Sequence, residues 1–92
     1  MIARRIVVHG RVQGVGFRFA AVDAVTGLRV TGWVRNRRDG TVEAWVQGDD
    51  ASVERAIAWA RRGPASARVD RVDVDDVTPD PALRDFRQRP SA

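Results

Sequence analysis

Stretches of β-branched residues alternate along this chain with two amphipathic helical segments, in the order strand, helix, strand, strand, helix, strand. That order restricts the fold more than any other feature of the sequence. Ala3–His9 is short, β-branched and stopped by Gly10, as expected of a strand with a buried face. From Phe17 the apolar residues Phe17, Ala20, Ala21, Ala24, Val25 and Leu28 recur at helical spacing, and Gly27 stands where a left-handed C-cap belongs. Val30–Asn36 and Thr41–Gln47 read as strands joined by Arg37-Arg38-Asp39-Gly40. An Asp-Gly pair between two such runs signals a hairpin, so these strands are expected to be antiparallel neighbours. Within the second run Val42, Ala44 and Val46 alternate with polar Glu43 and Gln47, and Trp45 interrupts the polar side.

A second helix opens at Gly48-Asp49-Asp50 with an Asp available as N-cap, carries Val53, Ala56, Ile57 and Ala60 on one face, and stops at Gly63-Pro64. Arg68–Val77 then sets Arg71, Asp73 and Asp75 on one side of a half-exposed strand and Val72 and Val74 on the other. Asp85–Gln88 is one more short extended piece. The βαββαβ order predicts an α+β, ferredoxin-like sandwich with two helices packed on one face of an antiparallel sheet.

With 92 residues the chain is expected to form one domain spanning 1–92, and its 43% hydrophobic content is that of a packed protein. No apolar run approaches the roughly 20 residues needed to cross a bilayer. The segment Met1–Arg5 lacks the apolar stretch of an export signal, so a soluble, cytoplasmic protein is expected. There is no cysteine, which excludes disulfides, thiolate zinc sites and thiol nucleophiles together. The net charge of +4 comes from 16 arginines against 12 acids, with no lysine. An anionic partner would explain it, but so would solubility or a genome rich in G and C, so the distribution of charge decides more than its total.

The segment Gly10-Arg11-Val12-Gln13-Gly14-Val15-Gly16-Phe17-Arg18 joins a strand to a helix start. Its glycines let consecutive backbone N–H groups turn toward one point, and the helix N-terminus adds unpaired donors and partial positive charge. An arginine at the end can fork onto two oxygens. A phosphate suits such a cradle, made by Gln13, Gly14, Val15, Gly16, Phe17 and Arg18 within the 11–18 loop. Charge-assisted hydrogen bonds of about 1.5–3 kcal/mol each would hold it with micromolar to millimolar affinity. Neither the Gly-Lys-Ser/Thr ending of a nucleotide loop nor the GxGxxG dinucleotide fingerprint is present. A loop ending in Arg is also used by cysteine phosphatases, but without a thiol the nucleophile must be water.

Gly-Arg-Val-Gln-Gly-Val-Gly-Phe-Arg at 10–18, Gly-Trp-Val-Arg-Asn at 32–36 and Asp-Gly-Thr-Val-Glu at 39–43 together resemble the acylphosphatase family. The resemblance continues through Gln47-Gly48, Gly63-Pro64 and Ala67-Arg68-Val69-Asp70 to Phe86, nearly the whole chain. It implies a ferredoxin-like fold and hydrolysis of acyl phosphates to a carboxylate and inorganic phosphate, without a cofactor. Arg18 matches the family's phosphate-binding arginine and Asn36 its water-positioning asparagine. Arginine stays charged at any working pH, and an amide orients water without taking its proton, so the chemistry of both residue types agrees. The substrate's own phosphate oxygen is then the expected proton acceptor. A monomer acting on a small acyl phosphate is expected, with neither nucleic acid nor membrane as partner. The chain departs from the family pattern at Ala20 and Ala21 and in Thr26-Gly27-Leu28-Arg29-Val30, which bears on rate and stability.

Other residues carry less. His9 is the only histidine, so it makes neither a two-histidine metal site nor a supported triad. Asp70, Asp73, Asp75 and Asp76 alternate with arginine as a solvated strand face does, and no metal ligands are assigned. Arg35, Arg37 and Arg38 either raise the potential around Asn36 or form a solvated hairpin tip. Trp33, Trp45 and Trp59 are expected to pack rather than to stack on bases. A ferredoxin-like nucleic-acid-binding module is the alternative for an arginine-rich sheet, but its aromatic strand signature is missing. A catalytically idle regulatory domain would be expected to have lost Arg18 or Asn36.

Overall fold

The computed structural model describes residues 1–92. The elements are β1 (Ile2–Arg11), α1 (Phe17–Val25), β2 (Val30–Asn36), β3 (Val42–Gly48), α2 (Asp50–Arg62), β4 (Arg68–Val77) and β5 (Phe86–Gln88). The sheet order is β4-β1-β3-β2-β5. Strands β1 to β4 pair antiparallel, as the hairpin signal and the helical crossovers require. The Asp85–Gln88 piece adds a fifth strand that runs parallel to β2, pairing Gly32 with Phe86 and Val34 with Gln88, so the complete sheet is mixed.

Strand alternation puts Ile6, Val8, Val34, Val42, Ala44 and Val72 on the inner face, against Phe17 and Ala21 of α1 and Ala60 of α2. A second cluster joins Val25 of α1 and Val53 and Ala56 of α2 to Val30 and Val46. Val8, Val34, Val42 and Val53 are wholly buried, and each contributes about 1.5–3 kcal/mol by leaving water. Both helices therefore lie on one face of the sheet, as expected.

Helix α1 ends one turn earlier than its apolar pattern. It stops at Val25, Thr26 caps it in right-handed conformation, and the left-handed residue is Arg29 rather than Gly27. Leu28 bonds back through its N–H to the Val25 carbonyl and packs on the second cluster from outside the helix. The helical spacing of Leu28 reflects this shared core rather than a continuous helix. Helix α2 follows its sequence signals. Asp49 accepts the Ser52 N–H at 2.8 Å as N-cap, which with the Ser52 hydroxyl holds its carboxyl below the usual range. At the other end Gly63, at φ 70°, donates to the Trp59 carbonyl.

The outer face of the sheet is polar yet well covered. Glu43, 4% exposed, sits between the guanidinium groups of Arg5 and Arg35, and Arg5 also reaches Asp75. Burial pushes the Glu43 carboxyl up, but hydrogen bonds from Arg35 and Arg5 outweigh it and hold the group below its ordinary 4.5. Gln47, 2% exposed, accepts from the Trp45 indole N–H and bonds both backbone groups of Asp80, tying the β4–β5 connection across this face.

Candidate active site

Val12, 1% exposed, anchors the β1–α1 loop in the core. Beyond it Gly14 (φ 72°) and Gly16 (φ 76°) adopt left-handed backbone, and a Cβ on either would meet no atom within 4 Å. Glycine is therefore required for backbone direction here, not for lack of room. Gly16 is the N-cap of α1, and no side chain caps that end. No backbone N–H from Gln13 to Phe17 donates to another backbone group. The contrast with α2, closed by Asp49, is direct: one helix start is sealed by its own carboxylate and the other presents free donors.

Two side chains fix the loop. Gln13 donates its amide hydrogens to the carbonyls of Arg37 (2.7 Å) and Thr41 (2.8 Å), and Ser66 donates to the Val15 carbonyl at 2.8 Å. The side-chain donors of Gln13 are thus committed to the β2–β3 turn. The turn is held in its own right by Asp39, which accepts from the Thr41 N–H and hydroxyl. Those two bonds lower the Asp39 pKa.

Arg18, in the first turn of α1, is half-buried and forms no ion pair, whereas Arg4, Arg5, Arg35, Arg37, Arg68, Arg71 and Arg87 all do. Asn36 closes β2. It follows the fully buried Val34 by two residues, so strand alternation turns it to the helix side of the sheet, the side on which α1 begins. Its side-chain amide has no hydrogen-bond partner within the protein, and Arg18 and Asn36 line the same cavity of about 120 Å³ with Gly14, Gly16 and Phe17. Val12 forms part of the wall, as do Phe19 and Gln88, which were not among the sequence candidates. Gln88 reaches the site because β5 pairs in parallel with β2, setting it beside Val34 and on the same face as Asn36. Nothing local in the sequence reveals that pairing.

The remaining candidates lie elsewhere. Arg35 is tied to Glu43 on the opposite face, and Arg37 and Arg38 open onto a separate depression of about 390 Å³ with Arg5, so these arginines do not line the Asn36 cavity. A wider surface depression of about 560 Å³ beside Arg84, Arg87 and Arg89 holds neither the loop nor Asn36. His9 bonds Asp73 at 2.9 Å, Arg71 reaches both, and Asp75 and Asp76 pair with Arg5 and Arg4. The acidic strand is a row of ion pairs, some to β1 and some within β4, and no three His, Asp or Glu side chains converge as metal ligands do. Trp59 packs on Phe17 with ring centroids 5.2 Å apart. Trp33, only 8% exposed, lies under the guanidinium groups of both Arg35 and Arg89, which leaves it unavailable as a base-stacking platform.

Comparison with known proteins identifies the family. The acylphosphatase family model matches residues 4–88. The chain is 50% identical over 90 residues to an acylphosphatase of Rhizorhabdus wittichii, covering 98% of this chain and 90% of that protein. It is also 50% identical over 80 residues to one of Mesorhizobium japonicum, covering 87% and 85%. The crystal structure of acylphosphatase from Bacillus subtilis superposes with a TM-score of 0.91 at 30% identity, covering 97% of this chain and 99% of that one. Sequence and fold agree: this chain belongs to the acylphosphatase family of hydrolases.

Proposed function

We propose that the chain hydrolyses acyl phosphates by direct attack of water on phosphorus, within the cavity shared by the β1–α1 loop, Arg18 and Asn36. One observation carries this reading: free backbone donors, an unpaired guanidinium and an unpartnered amide all border a single space. At about 120 Å³ it is well below the roughly 300 Å³ and more of sites that enclose a whole drug-sized ligand, and suits a compact tetrahedral anion.

In this reading the backbone N–H groups of Gln13, Gly14, Val15, Gly16 and Phe17 converge on the phosphate oxygens, and Arg18 forks onto two of them. Asn36 accepts a hydrogen bond from the attacking water, or donates one to its oxygen, and holds it in line with the leaving group. The water oxygen bonds to phosphorus as the bond from phosphorus to the acyl oxygen breaks, and the carboxylate leaves with the electron pair. The water's proton passes to a non-bridging phosphate oxygen, so no protein base is needed. Arg18 and the uncapped start of α1 offset the charge that builds on the equatorial oxygens. Every group involved comes from one chain, so a monomer suffices.

Hydrolysis of acetyl phosphate tests the proposal. The wild-type protein turns it over equally well in EDTA and in magnesium, and Arg18→Ala loses nearly all activity while keeping its circular dichroism spectrum. Arg18→Lys also fails, because an ammonium cannot reproduce the fork. A folded Arg18→Ala protein with full activity overturns the proposal.

A further inference from the structure

Besides Met1, Phe19 is the large hydrophobic residue this fold leaves exposed; it is 74% exposed and stands on the wall of the candidate active site. The fold makes no use of its ring. Phe17, two residues earlier, takes the core position against Trp59, whereas Phe19 is turned about 200° farther round the helix and makes no aromatic pair. Scattered exposed apolar residues need no explanation, but a bare phenyl ring beside an unpaired arginine, on the wall of the cavity, coincides with where a substrate must extend. A cavity of about 120 Å³ that holds the phosphate leaves no room for a ring or a branched chain as well. The acyl group must therefore lie across the rim.

We infer that Phe19 forms the apolar wall against which the acyl group of the substrate rests, so that the site favours acyl phosphates with an aromatic or bulky apolar acyl group. This rests on the reading of the cavity as an acyl phosphate site. The ring offers a face or edge for an aromatic acyl group at little conformational cost, since a phenylalanine side chain has two torsions to order. Acetyl phosphate extends a single methyl group past the phosphate and gains little from such a wall.

The experiment compares kcat/KM for benzoyl and acetyl phosphate in the wild-type protein and in Phe19→Ala and Phe19→Trp. The wild type favours benzoyl phosphate. Phe19→Ala lowers the benzoyl-to-acetyl ratio by roughly tenfold, in the range that a lost apolar pocket contact produces. The change enters through KM for benzoyl phosphate, as for a contact made equally in ground and transition states. Phe19→Trp restores the preference. A Phe19→Ala ratio within twofold of the wild type overturns the inference while leaving the hydrolase reading in place. So does a comparable rise in the inhibition constant of inorganic phosphate, which has no acyl group and would report a disturbed loop. Wild-type protein that hydrolyses neither compound removes the reading of the site itself and this inference with it.

Discussion

Gln13 donates its side-chain N–H to the carbonyl of Arg37 at 2.7 Å, joining the loop that ends in Arg18 to the residue that follows Asn36. A second hydrogen of the same amide goes to Thr41 at 2.8 Å. One side chain thus ties the loop to the turn beside Asn36. Gln13→Ala should lower stability by about 1–2 kcal/mol, near the worth of two partly buried hydrogen bonds. In a domain of this size that is a fall of roughly 5–10 °C in Tm. Activity should drop further than stability accounts for, because catalysis by positioning is sensitive to small displacements. Gln13→Glu, which turns a carboxylate toward two carbonyl oxygens, should be worse. Thermal melts and kinetics on both variants check the point.

Inorganic phosphate, the product, should inhibit competitively and raise Tm, since it binds the same donors and only the native state presents them. Sulfate should act more weakly. At millimolar affinity, tens of millimolar phosphate should stabilise by about 1–3 kcal/mol. An unchanged melt in that range would show that the open start of α1 binds water rather than anions.

Asn36→Ala should reduce kcat by at least about a hundredfold, equivalent to about 2.7 kcal/mol, with little change in phosphate affinity, because the proposal assigns the binding to Arg18 and the loop. Asn36→Asp should be as poor or worse. It supplies a base but places negative charge beside an anionic phosphate. Steady-state kinetics of the two variants separate the roles: wild-type kcat in Asn36→Asp would assign general-base catalysis to this position.

Glu43 is expected to matter to stability and not to catalysis, since it lies on the opposite face of the sheet from the cavity. Its folded-state pKa is depressed below 4.5, so its carboxylate adds stability that is fully present above about pH 4.5. That contribution is lost as pH falls from there through the folded-state value. Glu43→Ala, which leaves Arg35 without an ionic partner and Arg5 with Asp75 alone, should cost about 2–3 kcal/mol, less than a fully buried pair because both arginines are about one-third exposed. Glu43→Gln should show a flatter loss of stability below pH 4.5 than the wild type. Chemical denaturation at pH 7 and pH 3.5 measures both effects, and the activity of the folded variants at pH 7 should match wild type.

By itself the sequence determined the alternation of elements, the hairpin at Asp39-Gly40, an Asp cap at the start of α2 and the glycine loop before Arg18, because each is written in short-range periodicity or in the backbone needs of a few adjacent residues. It also singled out Arg18 and Asn36 through the family resemblance. Where a pattern spanned two kinds of structure it misled: Leu28 continues the helical spacing of α1 yet lies beyond its end, since packing on a shared core produces the same period. Tertiary structure alone decided that Gln13 spends its side-chain amide on the β2–β3 turn and that Gln88 borders the cavity. Each depends on which strands lie side by side and which face a residue turns to. Pairing partners 24 to more than 50 residues apart are selected by the burial of the whole sheet, not by the residues at the contact. The same reason applies to the site: its donors come from β1–α1 and its amide from the end of β2, and only the packing of α1 over that strand end makes them one cavity.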